Sequence, residues 1–175
     1  MKKVAVSFFS LIVVIFLFKV LSYAQILIVG NGQGNPRDTL AIPVTFSNDL
    51  NNVVAIQFDI TFDPDLVDIT NAVPGSALET NFSFSTNEPA PGIRRIVIIP
   101  SIYFPMPTLP DGEIAVISVY LVGAPGSRAT LTLDNVVMCD ADYNSVVPAS
   151  LQNGYINITS ITFRPMPWLP LLLGE

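Results

Sequence analysis

The chain has 175 residues, with 8 Lys+Arg against 14 Asp+Glu, no His and one Cys, which is room for one domain of roughly 100 to 200 residues. Hydrophobic residues make up 50% and charged residues 13%, against about 25% charged in ordinary soluble domains, so a disordered chain is excluded. Without His, and with a single Cys, His-based acid–base chemistry, an internal disulfide and a Cys-rich zinc site are excluded too.

Much of the apolar excess sits at the front. Lys2 and Lys3 form a positive n-region, Val4 to Phe18 an apolar run, and Ser22-Tyr23-Ala24 a small-x-small cleavage signal before Gln25. This is the layout of a secretory signal peptide, so residues 1–24 are assigned to a signal helix removed on export, and the protein to the exterior, secreted or at the cell surface. The rival is an uncleaved membrane anchor; against it, Lys19 interrupts the run short of the ~20 apolar residues of a spanning helix. Cleavage removes Lys2, Lys3 and Lys19 and leaves Arg37, Arg94, Arg95, Arg128 and Arg164 against all 14 acids. Such an acidic domain is poorly equipped to neutralise phosphates, so nucleic acid is not an expected partner, and a membrane enters only through the signal segment if uncleaved.

From Gln25 onward short apolar-alternating runs are broken every eight to twelve residues by Pro, Gly and Asn, the pattern of an all-β sandwich or barrel. Strands are predicted at Ile26 to Val29, Thr39 to Phe46, Val54 to Phe62, Leu66 to Val73, Asn81 to Ser85, Arg95 to Ile99, Ile114 to Val122, Ala129 to Val137 and Gly154 to Thr159. Gly30 to Asp38 reads as a polar loop, and Pro43 places the second strand at an edge or a bulge. No window from Gln25 onward shows a helical period, so helix should be scarce. The clearest segment is Val54 to Phe62: Ile56, Phe58, Ile60 and Phe62 share one face and belong to the core. Ala55, Gln57, Asp59 and Thr61 share the other, which meets water or a partner. A one-residue slip would bury the charge of Asp59.

Four segments carry a resemblance. Phe58 to Ile69 (FDITFDPDLVDI) followed by Val73-Pro74-Gly75-Ser76 resembles the signature of cohesin domains: an alternating strand, an aromatic-Asp-Pro turn, a second strand and a Pro-Gly. Gly32 to Val44 resembles the family's opening strands, Asp111 to Val122 its Asp-Gly-x-Leu-Ala strand, and Asp140 to Asn144 with Gln152 to Ile156 its last hairpin and final strand. The likeness spans Ile26 to Ile158. It implies a nine-stranded jelly-roll β-sandwich over residues 25–159, without cofactor or catalytic group. It also implies a role in docking dockerin-type protein partners in assemblies that degrade polysaccharide. Carried over residue by residue, it implies Ala55, Gln57, Pro100, Ile102, Tyr103 and Asn144 as outward binding positions. Where type I cohesins often place Asn and Asp on the long strand, this chain has Ala55 and Gln57.

Other features bear on the site. Ile98 to Leu109 (IIPSIYFPMPTL) sets Ile102, Tyr103, Phe104, Met106 and Leu109 among prolines: a broken apolar segment that either extends the binding face or folds back as a lid. Tyr103 is its expected anchor, because buried aromatics dominate interface energies. Asp63, Asp65 and Asp68 read as a solvated turn rather than a cation site. Asp140, Asp142 and Asn144 occupy the first ligand positions of a calcium loop, but Ser145 stands where that loop needs Gly and Leu151 where it needs Glu, so a turn is expected and no metal. Glu79, Glu88 and Glu113 fall on separate loops and do not form a hydrolase pair. Cys139 reads as a buried small hydrophobe. A carbohydrate-binding module on the same sandwich is the runner-up function; it needs aromatic rings aligned on one face, and Tyr103, Tyr120, Tyr143, Tyr155 and Trp168 are scattered. The Pro-rich apolar tail, residues 160–175, either packs on the sandwich or offers itself to another surface.

Intact-mass measurement of the exported protein is expected to show Gln25 as its first residue. Retention of Met1 to Ala24 would make the segment an anchor instead.

Overall fold

Runs in which every second side chain is apolar form strands because successive side chains leave a strand on opposite sides, so one side can be buried whole. The computed structural model describes residues 25–49, 52–102 and 105–159. The predicted signal helix and the tail 160–175 lie outside these residues.

The strands are β1 (Gln25–Val29), β2 (Gly32–Gly34), β3 (Thr39–Asn48), β4 (Ala55–Thr61), β5 (Val67–Pro74), β6 (Phe82–Ala90), β7 (Ile93–Pro100), β8 (Gly112–Leu121), β9 (Arg128–Cys139), β10 (Ser145–Val146), β11 (Ser150–Gln152) and β12 (Gly154–Ile158). No described residue is helical. One sheet runs β11-β1-β3-β8-β5 and the other β2-β12-β9-β4-β7-β6, with β10 added beside β9. All nine predicted strands are present. The described chain nevertheless has twelve strands rather than nine, because β2, β10 and β11 are pieces of two or three residues with no alternation to betray them. β2 also corrects the reading of Gly30 to Asp38 as loop throughout: Gly32 to Gly34 pair in parallel with Ile156 to Ile158.

The two sheets share one core. Leu27, Phe46, Ile69, Ile117 and Val119 from the first sheet meet Phe58, Ile60, Ile96, Ile98 and Leu131 from the second. Phe58 is the largest fully buried side chain, set in the middle of β4 between two neighbouring strands. Arg94 ties the sheets at one end: its guanidinium donates to the Ile69 carbonyl on β5 and lies 3.4 Å from Glu88 on β6.

Pro43 departs from expectation in part. β3 is not an edge strand, since it lies between β1 and β8. A bulge does follow at once, between Val44 and Thr45. β1 pairs no further than Val29 with Val44, and the Pro43 carbonyl accepts the Gly30 N–H at 2.8 Å, so the missing N–H falls where the neighbouring strand has run out. Two glycines are required by position. Gly92 has φ 78° in the Pro91-Gly92 turn joining β6 to β7, and a Cβ on Gly75 would collide with the Glu113 backbone on β8.

Phe58→Ala is expected to destabilise the domain by about 3 to 5 kcal/mol, through lost transfer energy and the cavity left between the sheets. Denaturant unfolding monitored by circular dichroism measures it.

Candidate docking face

β4 is hydrogen-bonded along both edges, to β7 and to β9, and β6 lies outside β7. The registers therefore lay out the outer surface of this sheet row by row. One row runs Asn87, Arg95, Asp59, Asp134 from β6 across to β9; the next runs Ser85, Val97, Gln57, Val137. Beyond it Ser83 pairs with Ile99, and Ala55 with Cys139. The result is a surface with a polar β6 margin, an apolar centre and one charged row. Ile99 is 43% exposed and Val137 57%.

Val137 reaches this surface only through a bulge. Between the pairs Gln57–Val137 and Asp59–Asp134 the strand β9 carries an additional residue, and Asn135 there adopts φ 48°. Strict alternation from Leu131 and Leu133 would send Val137 to the core. The bulge reverses the parity, buries Met138 and turns Val137 out.

The bulge also completes the environment of Asp59. Arg95 grips its carboxylate with Nε at 2.6 Å and Nη2 at 2.7 Å, and the Asn135 amide donates to Oδ2 at 2.8 Å. The Asp59 side chain is 2% exposed and that of Arg95 33%. The Arg95 hydrogen bonds, joined by that of Asn135, hold the Asp59 carboxyl below the usual carboxylate range against the opposing effect of burial.

The predicted positions divide. Ala55 and Gln57 lie on the outer surface, half-buried among their neighbours. Asp59 points the same way but is not open to a partner. Arg95 and Asn135 cover it, so its charge is buried without any slip of register. Pro100 is corrected as well: β7 continues to Pro100, which keeps the parity of Ile96 and Ile98 and is buried, and its neighbour Ile99 turns out instead. Ile102 stands 50% exposed at the end of this strand. Tyr103 and Phe104 lie outside the described residues. Asn144 is exposed, but its side-chain amide is engaged by Asp140 at 3.1 Å, in the loop that joins β9 to β10. The Asp140 carboxylate also accepts the Asp142 and Asn144 N–H groups, as Asp63 accepts that of Asp65, so both acidic runs are built as turns. Cys139 is half-buried on the outer surface beside Ala55, not in the core; Met138 takes the core position.

The loop after β7 folds back on the sandwich at its far end. Leu109 is fully buried and its N–H bonds the Val53 carbonyl at 2.8 Å, while Ile102 at the other end is exposed. Buried Asn48 holds this arrangement, donating its amide to the carbonyls of Val53 and Leu109 and accepting from the N–H groups of Asn52 and Val53. Val97, Ile99 and Val137 were missed in the sequence. Alternation along the predicted strand Arg95 to Ile99 already sets Val97 and Ile99 on the side of Arg95; no local signal marks Val137.

A family model described as Cohesin domain matches residues 26–158. Among solved structures, CaCohA2 from Clostridium acetobutylicum is 27% identical, the alignment covering 78% of this chain and 91% of that one with a TM-score of 0.66. The sixth cohesin of scaffoldin B from Acetivibrio cellulolyticus, solved in complex with a Cel5 dockerin, is 21% identical over 77% and 99% of the two chains, with a TM-score of 0.68. A non-cellulosomal cohesin from the archaeon Archaeoglobus fulgidus is 19% identical over 78% and 92%, with a TM-score of 0.64. No curated protein matches the chain.

Because the carboxyl of Asp59 titrates lower in the folded chain than in the unfolded one, its contribution to stability is complete above the unfolded value of about 4. It is lost as pH falls from there through the folded value. Denaturant midpoints measured from pH 7 to pH 2 are expected to decline on the acid side of that value, and the decline should be shallower in Asp59→Asn.

Proposed function

The chain belongs to the cohesin family, and from that premise we propose that it is an exported, non-catalytic binding module. Its partner is a dockerin-like protein, docked on the outer surface of β6, β7, β4 and β9, in an assembly that degrades polysaccharide. The observation that carries this reading is the surface itself: Val97, Ile99, Val137 and Ala55 contiguous on one side of the sheet, Ser83, Ser85 and Asn87 along its margin, and Ile102 beyond its end. Apolar centre and polar rim are the anatomy of a protein interface. A sheet surface of this kind can supply the ~800 Å² per partner that a stable complex needs. Tyr103 and Phe104 follow Ile102 in the sequence and add two aromatic residues to this segment.

The described tyrosines support protein over sugar as the ligand. Tyr120 is on β8 in the opposite sheet, Tyr143 is in the loop before β10, and the Tyr155 ring is capped by the Arg128 guanidinium at 3.9 Å. No two of them align as a platform for a polysaccharide chain.

Calorimetric titration of the full-length chain with dockerin modules, first selected from a displayed dockerin library, tests the proposal. Gln57→Arg, Ile99→Arg and Tyr103→Ala are each expected to weaken binding by about 30-fold or more, the equivalent of ~2 kcal/mol for a hot spot. Their melting temperatures should match the wild type. Surface variants that bind as well as wild type would remove the docking site from this face.

A further inference from the structure

The centre of the docking face contains one polar feature whose hydrogen-bonding capacity is incompletely used. Arg95 commits Nε and Nη2 to Asp59, and among the described residues its Nη1 has no hydrogen-bond partner. The carboxylate behind it is filled: Oδ1 receives Nε, and Oδ2 receives Nη2 and the Asn135 amide. The guanidinium is therefore held by one edge, and the Arg95 side chain is 33% exposed in the row beside that of Val97 and Gln57.

A clamp between β4 and β7 does not require this arrangement, since the two strands are already paired from Ile56 to Thr61. The chain nevertheless distorts β9 into a left-handed residue whose amide goes to Asp59. The distortion immobilises the guanidinium, and a donor immobilised before binding loses less entropy when it is engaged. Arginine is also among the residues enriched at interface hot spots, because its planar fork directs several donors at once.

Resting on the docking reading above, we infer that Arg95, oriented by Asp59 and Asn135, is the specificity-determining polar anchor of the face, donating from its other edge to an uncharged oxygen acceptor of the protein partner. Charge selects the acceptor class. Arg95 and Asp59 together are neutral, and the exposed Asp134 flanks Asp59 in the same row. A partner carboxylate would face two carboxylates across one guanidinium, whereas a backbone carbonyl, amide or hydroxyl oxygen meets only the donor. A partner with an apolar group in place of that oxygen would leave Arg95 desolvated and unpaired, and is rejected for that reason.

The test uses a dockerin module recovered from a displayed library on the full-length chain. Arg95→Lys keeps the charge and the pairing to Asp59 but loses the second edge; it is expected to lower affinity by about ten- to hundredfold with an unchanged melting temperature. Asp59→Val combined with Arg95→Val replaces the pair by residues suited to strands and should lose affinity to the same degree. Should that double variant fail to fold, Arg95→Lys decides alone. Binding measured at 50 and 500 mM NaCl should give wild type and the double valine variant the same salt dependence; a steeper slope for wild type would mean a partner carboxylate and overturn the assignment of the acceptor. Wild-type affinity in Arg95→Lys would reduce Arg95 to a strand clamp while leaving the docking reading intact. Failure of every dockerin to bind wild type would overturn the docking reading and this inference with it.

Discussion

Strand β4 has two hydrogen-bonded edges and one apolar side, and the arrangement of the molecule follows from that constraint. Ile56, Phe58 and Ile60 must be buried together because they share a side, so the opposite sheet has to lie against them. Both edges are occupied, by β7 and β9, so nothing can add to β4 laterally. What remains open is its outer side, where Ala55 and Gln57 stand. The proposed docking face is the consequence of the core rather than a structure added to it.

The same strand shows why a surface need not be exposed where alternation says it is. Asp59 leaves β4 on the outer side, yet a bare carboxylate at the centre of an apolar patch would be poorly placed for any partner that excludes water. Arg95 from β7 and Asn135 from β9 close over it. They come from 36 and 76 residues away in sequence, and the sheet brings them together because all three strands are adjacent. The Asp59 charge is thereby covered, and of the pair it is the Arg95 side chain, 33% exposed, that reaches the surface.

Asn48 plays a comparable part at the end of the sandwich. By bonding Val53 and Leu109 at once it joins the connection entering β4 to the loop that follows β7. One end of that loop is anchored in the core through Leu109, and Ile102 is left beside the face. A single buried amide thus ties the loop to the connection entering β4, and its own polar atoms are satisfied by backbone groups of Asn52, Val53 and Leu109.

Alternation and turn chemistry are local, and they were legible in the chain by itself. They marked the all-β class, the nine longer strands, the core side of β4, the turns at Asp63 and Asp140 and the family signature from Phe58 to Ser76. The short strands β2, β10 and β11 were not legible, because two or three residues carry no period and are strands only by virtue of the neighbour they pair with. Nor was the exposure of Val137, which depends on one inserted residue that reverses the parity of β9. The burial of Asp59 depends on partners distant in sequence, and that of Pro100 on how far β7 runs. Sequence alone determined which faces exist, since the side-chain period is a property of each strand. Only the tertiary structure decided which residues on those faces meet solvent, because register, bulges and cross-strand partners are properties of pairs of strands.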